Sequence, residues 1–196
     1  MKFELRISGG KKLKSPSGIR TRPTTSRVRE AVMNILREKI KGASWLDLFS
    51  GSGSMGCEAL LNGALKVLAV EKDRKTAQIC KDNLITTLSG LSKKQRIGVI
   101  QNEVVNFLGE GSKKIKAKGF DSEEIFDLVY IDPPYKEELI YTKVLSGLIK
   151  GNWIYKSSIV ICEHSSDITI KPDPLWIEID RKHYGSSSLL LISPPG

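Results

Sequence analysis

Asp47-Leu48-Phe49-Ser50-Gly51-Ser52-Gly53 is the stretch that decides the fold. It follows the apolar Trp45-Leu46 and runs on into Ser54-Met55-Gly56, so a core strand passes into G-x-G-x-x-G and then into a helix. Glycines at these places let the chain turn sharply, let a ligand approach the main chain and let the helix pack close to the strand. The spacing by itself is shared by several nucleotide-binding enzymes, NAD enzymes included.

Outward from this loop the pattern alternates. Strands are predicted at Trp45–Phe49, Val67–Val70, Ile97–Ile100, Phe126–Ile131 and Ser158–Cys162. Helices are predicted near Met55–Leu61, Lys75–Leu84, Val104–Leu108 and Glu137–Leu148. Such alternation specifies a parallel sheet with helices on both faces. After Pro174 it stops, and Leu175–Asp180 and Ser187–Ile192 read as an antiparallel hairpin turning at Tyr184-Gly185. The expected fold is α/β and Rossmann-like, a seven-stranded, mostly parallel sheet with an antiparallel C-terminal edge. Residues 111–124 read as polar and irregular, with Lys113, Lys114, Lys116 and Lys118 as weaker phosphate candidates.

An acidic residue, Glu71, ends the second of these strands and suits a pair of ribose hydroxyls. Asp73 nearby is either the ligand in place of Glu71 or a helix cap. Asp47 ahead of the glycines favours S-adenosyl-L-methionine over NAD. A carboxylate attracts sulfonium and ammonium groups and is ill-placed beside a pyrophosphate. Phe49, Gly51, Ser52, Gly53 and Lys72 complete the predicted cofactor site, with Asn102 and Glu103 at the adenine edge.

Asp132-Pro133-Pro134-Tyr135 follows the apolar Leu128–Ile131, 85 residues beyond Asp47. Prolines stiffen the backbone and remove donors, leaving carbonyls to face outward. A carboxylate, a carbonyl and an aromatic face suit a flat base carrying an amino group. Asp132 and the Pro133 carbonyl accept its two hydrogens, Pro134 holds the loop and Tyr135 stacks on the ring. No imidazole is needed, so His164 and His183 are expected to be structural.

Charge adds a third observation. Residues 1–41 hold twelve Lys and Arg against three Glu, while residues 42–196 hold nineteen of each sign. The net +9 thus sits in a leading segment, set apart as a basic extension of short strands and one helix ahead of the catalytic domain, 42–196. Such asymmetry points to nucleic acid. The helix is predicted to start at Pro23-Thr24-Thr25-Ser26 and to run to about Ile40, with Gly42 ending it. Arg27 and Arg29 are expected off its apolar stripe. The scattered Cys57, Cys80 and Cys162 have neither metal nor disulfide spacing. With no run of about 20 apolar residues and no secretory pattern at the N-terminus, a cytoplasmic, metal-free monomer is expected.

The chain resembles the RsmD family of class I methyltransferases. The resemblance rests on Arg6-Ile7-Ser8-Gly9-Gly10, on Arg20-Thr21-Arg22-Pro23-Thr24 continuing through Arg27-Val28-Arg29-Glu30, and on Asp47–Gly53, Val70-Glu71-Lys72-Asp73, Asp132–Tyr135 and Lys182-His183-Tyr184-Gly185. It implies transfer of a methyl group from S-adenosyl-L-methionine to the exocyclic N2 of one guanine in 16S rRNA. The substrate would be the rRNA or a small-subunit assembly intermediate. It also implies that Arg20, Arg22, Thr24, Arg27 and Arg29 face the RNA. The residues alone leave DNA adenine-N6 methylation, protein glutamine methylation and a non-catalytic RNA-binding module as alternatives.

Overall fold

The computed structural model describes residues 5–16, 25–91, 94–115, 117, 119–120, 123–134 and 138–195. Predicted residues Arg20, Arg22, Thr24, Lys116, Lys118 and Tyr135 lie outside that set. A small hairpin of β1 (Leu5–Arg6) and β2 (Lys12–Leu13) leads to α1 (Ser26–Ile35). Then follow β3 (Ser44–Leu48), α2 (Ser54–Leu61), β4 (Lys66–Glu71), α3 (Arg74–Leu88), β5 (Arg96–Gln101), α4 (Val104–Glu110), β6 (Leu128–Ile131), α5 (Glu138–Lys150), β7 (Ile159–Ser165), β8 (Ile177–Tyr184) and β9 (Ser187–Ser193).

The seven-stranded sheet has the order β5-β4-β3-β6-β7-β9-β8. Its first five strands are parallel, and β9 pairs antiparallel with both β7 and β8. The predicted α/β architecture is therefore the observed one. Both faces are covered, which is why the central strands read as continuous apolar runs and not as alternating ones. Trp45, Val67, Tyr130 and Ile161 face α1, α2 and α3, whereas Leu46, Leu68, Val129 and Val160 face α4 and α5.

Several boundaries differ from expectation; α3, for one, runs on past Leu84 to Leu88. Helix α1 stops at Ile35, not Ile40, because the Arg37 N–H turns to the Asn34 carbonyl and the last turn tightens. Leu36 and Ile40 stay buried even so. Strand β8 continues to Tyr184, with a bulge between Glu178 and Asp180, and leaves a short turn in which Gly185 has φ 65°. Segment 111–124 is not wholly irregular: Ser112–Lys114 form a 3-10 turn, and buried Glu124 pairs with Lys66 at 2.7 Å.

The leading segment shares the core of the sheet. Leu5, Ile7, Leu13, Val28 and Val32 belong to the same apolar cluster as Trp45 and Tyr130. Thr25 caps α1 by accepting the Val28 N–H at 3.3 Å.

Candidate active site

Strands β3 and β6 are parallel neighbours, with Asp47 opposite Tyr130 and Leu48 opposite Ile131. Their chains leave the sheet side by side, so Phe49-Ser50 and Asp132-Pro133 emerge together. The order of crossovers reverses between these two strands, which is where open α/β sheets bind ligands. On the other side of β3, strand β4 brings Glu71 to the same edge.

The glycine loop is built tightly. Phe49, Gly51 and Gly53 all have positive φ, at 62°, 53° and 76°. A phenylalanine there is an uncommon, strained choice that the surroundings must enforce. The Ser50 N–H bonds the Val70 carbonyl at 3.0 Å, and the Gly53 N–H bonds the Ser50 carbonyl at 2.8 Å. A Cβ on Gly53 would stand 2.6 Å from Cys80 Sγ, whereas one on Gly51 would meet nothing within 4 Å. Gly53 thus serves packing, whereas the main chain at Gly51 is open on that side among the described residues. Gly53→Ala is expected to cost about 2–4 kcal/mol through backbone strain and overpacking. Urea unfolding checks this, and a loss under 1 kcal/mol would show that the contact relaxes freely.

Two carboxylates frame the loop. Glu71 accepts the Gly51 N–H at 3.0 Å and the Asp73 N–H at 2.9 Å. Asp73 itself caps α3, accepting from Thr76 at 2.8 Å, so of its two readings the cap is the observed one. Asp47 is 2% exposed and accepts the Gly56 N–H at 3.1 Å. Burial, opposed by that bond and reinforced by Glu71, pushes its pKa up to about 7. The folded state therefore holds a proton that the unfolded chain releases near 3.8. This contribution to stability is complete below pH 4, falls as pH rises towards 7 and is lost above it. Denaturant titrations from pH 4 to 8 should show the slope, and Asp47→Asn should flatten it. An equal slope in the variant would assign it to another group.

Next to Glu71, the Asn102 N–H donates to the Glu71 carbonyl at 3.1 Å. The Asn102 side chain accepts from the Glu103 N–H at 2.8 Å and donates to Glu110 at 3.1 Å. Glu103 caps α4 by accepting the Asn106 N–H at 2.9 Å. Lys72 is exposed at the rim. The predicted cofactor residues therefore lie along one edge, formed by the ends of β3, β4 and β5.

In the second loop Asp132 is half-buried, Pro133 is buried and Pro134 is exposed. Beneath them lies a brace that the sequence reading missed. The Tyr130 hydroxyl donates to the Glu163 carboxylate, and the Tyr141 hydroxyl donates to the Glu163 carbonyl at 2.6 Å. Burial, with the charges of Glu163, Asp132 and Asp47, raises the Tyr130 pKa well above its usual value. A carboxylate in the apolar run of β7 was the available signal for this brace.

One predicted site residue is corrected. Arg29 is 3% exposed, its Nε lies 3.4 Å from the buried Glu58 carboxylate, and its guanidinium donates to the Arg6 carbonyl at 2.5 Å. It turns into the core because Glu58 on α2 needs a cation there, so it does not face RNA. Arg27, two residues earlier, is exposed. His164 is buried, with Nδ1 2.8 Å from the Ser165 carbonyl, and the three cysteines are buried free thiols.

The sequence family described as conserved hypothetical protein 95, the RsmD family, matches residues 5–193. The chain belongs to it. Among its relatives, ribosomal RNA small subunit methyltransferase D of Haemophilus influenzae is 31% identical over 97% of this chain and 94% of its own. The Escherichia coli K12 protein of the same name is 31% identical over 82% of this chain and 74% of its own. The solved Escherichia coli protein YhhF superposes with a TM-score of 0.76 at 27% identity, over 99% of both chains. This RsmD-family chain is a class I methyltransferase, and S-adenosyl-L-methionine is its methyl donor.

Proposed function

We propose that this RsmD-family enzyme methylates the exocyclic N2 of a guanine in small-subunit, 16S rRNA, presented as RNA or as an assembly intermediate. The observation that carries the reading is the emergence of the glycine loop and the Asp132 loop from adjacent parallel strands. It is supported by relatives named for the small ribosomal subunit.

The residues present fit the donor. Gly51 offers open space against the main chain, Glu71 stands at a strand end as a hydroxyl acceptor, and Asp47 supplies a carboxylate behind the loop. Phe49, Ser52, Gly53, Lys72, Asn102 and Glu103 complete the cradle. When bound, the donor supplies an activated methyl group on a sulfonium. The protein's task is then mainly to position the acceptor. Asp132 and the Pro133 carbonyl accept the two amino hydrogens and aim the nitrogen lone pair. Tyr135 stacks on the base, which is worth about 1–3 kcal/mol. As the N–CH3 bond forms and the S–CH3 bond breaks, with a neutral thioether leaving, the nitrogen becomes positive, so Asp132 stabilises the transition state more than the ground state. The nitrogen then gives up one proton, to Asp132 or to solvent.

The basic segment 1–41 approaches the RNA backbone, with Arg20, Arg22, Thr24 and exposed Arg27 as contacts that set affinity and not sequence. The enzyme works as a monomer in the cytoplasm and without a metal. Arg27→Ala is expected to weaken binding of rRNA and reduce the slope of log affinity against log salt by roughly 1. Filter binding at several salt concentrations tests this, and an unchanged slope would remove Arg27 from the interface. The reaction itself is tested by cofactor-dependent labelling of undermethylated small-subunit particles. Labelling of DNA in place of the particles would overturn the assignment.

A further inference from the structure

Segment 5–16 carries Lys11, Lys12 and Lys14 and leads into the arginine-rich stretch. It rests on the two helices that flank the glycine loop. The Ser8 N–H donates to Glu58 on α2 at 3.1 Å. On α3, Lys14 Nζ pairs with Asp82 at 2.7 Å, and Lys11 Nζ donates to the Thr86 carbonyl.

At the centre of this contact is Asn83, which is 3% exposed. Its Nδ2 donates to the Lys14 carbonyl at 2.9 Å and to the Ser52 carbonyl at 2.9 Å. Its Oδ1 accepts the Lys14 N–H at 2.9 Å. Both amide hydrogens are therefore used, one on the basic segment and one on the cofactor loop. Only an uncharged primary amide offers two donors and an acceptor at this place. Being buried, each bond is costly to leave unmade, so the segment and the loop hold or shift together. The surface pairs at Lys14 and Lys11 add little by comparison.

We propose that Asn83 is a positioning residue that couples the glycine loop to the basic N-terminal segment, so that cofactor and RNA each tighten the binding of the other. The proposal rests on the reading of that segment as an RNA-facing one. A ligand lying against Gly51-Ser52-Gly53 fixes the Ser52 carbonyl and, through Asn83, both backbone groups of Lys14. The cost of ordering the segment is then met once for two ligands. By linkage the two enhancements are equal.

Two measurements test it. In the first, hydrogen exchange of the wild-type protein is followed with and without S-adenosylhomocysteine. Slower exchange is expected in residues 11–16 as well as in the glycine loop. Protection confined to the loop would overturn the proposal. In the second, the affinity for S-adenosylhomocysteine is measured with and without undermethylated small-subunit particles, in the wild type and in Asn83→Asp. The variant keeps the acceptor for the Lys14 N–H and loses the two donors. The wild type should bind at least about fivefold more tightly with particles present. In the variant the ratio should fall to near one while each ligand still binds alone. An equal ratio in both proteins would overturn the proposal. Failure of the wild type to bind particles would sink the RNA reading instead, and the exchange result would still decide whether the bridge couples segment to loop. Should Asn83→Asp fail to fold, the wild-type exchange result decides as well.

Discussion

Replacing Asp132 with alanine is expected to lower methyl transfer by about 10²–10³ or more, with affinity for S-adenosylhomocysteine retained. Asp132 follows β6, whereas Gly51, Glu71 and Asp47 frame the glycine loop at the ends of β3 and β4. In the proposed reaction its loss removes the acceptor that orients the amino group and the charge that offsets the developing positive nitrogen. Both act on the transition state, so kcat falls more than KM rises. Asp132→Asn keeps the shape and one acceptor oxygen and should fall between the two. Single-turnover transfer from labelled cofactor reads the effect, with calorimetry for the retained affinity. Near wild-type turnover in the alanine variant would remove Asp132 from the chemistry.

The second large effect is on stability. Arg29→Ala leaves the Glu58 carboxylate, 3% exposed, without its guanidinium partner. One Glu58 oxygen has no hydrogen bond among the described residues, so little remains to compensate its charge. Breaking a buried pair in this way costs about 3–5 kcal/mol. Glu58 also holds the Ser8 N–H, so the loss should loosen the N-terminal segment. Urea unfolding measures the change. An RNA-facing Arg29 would give a different result: unaltered stability with a weaker, less salt-sensitive complex. The paired variant Arg29→Met with Glu58→Leu should recover much of the stability, because an apolar pair of similar volume needs no desolvation.

The architecture was legible because strands buried on both faces read as unbroken apolar runs, and Leu128–Ile131 and Val67–Val70 are such runs. Loop residues with a local cause were legible as well. Gly51 and Gly53 have the positive φ that the motif implies, and Thr25 and Asp73 cap helices. Contacts between residues distant in sequence were not legible. Arg29 reads as a surface residue because its helical position is adjacent to the apolar stripe. Only the fold shows that Glu58, 29 positions on, turns it inward. Asn83 sits on a helix with no mark of its 69-residue reach to Lys14. Glu163 beneath the Asp132 loop was visible only as a charge inside an apolar strand. The end of α1 was missed because the apolar period continues through Leu36 and Ile40 after the helical hydrogen bonding has changed.

The proposed reaction requires two loops on adjacent strands to bring a donor methyl and a guanine amino group together. It is tested most directly by incubating the protein with labelled S-adenosyl-L-methionine and undermethylated small-subunit particles, then identifying the modified nucleoside by mass spectrometry. Label is expected in N2-methylguanosine at a single site of the 16S rRNA, lost with Asp132→Ala. Label on another base, on protein, or undiminished in that variant would contradict it.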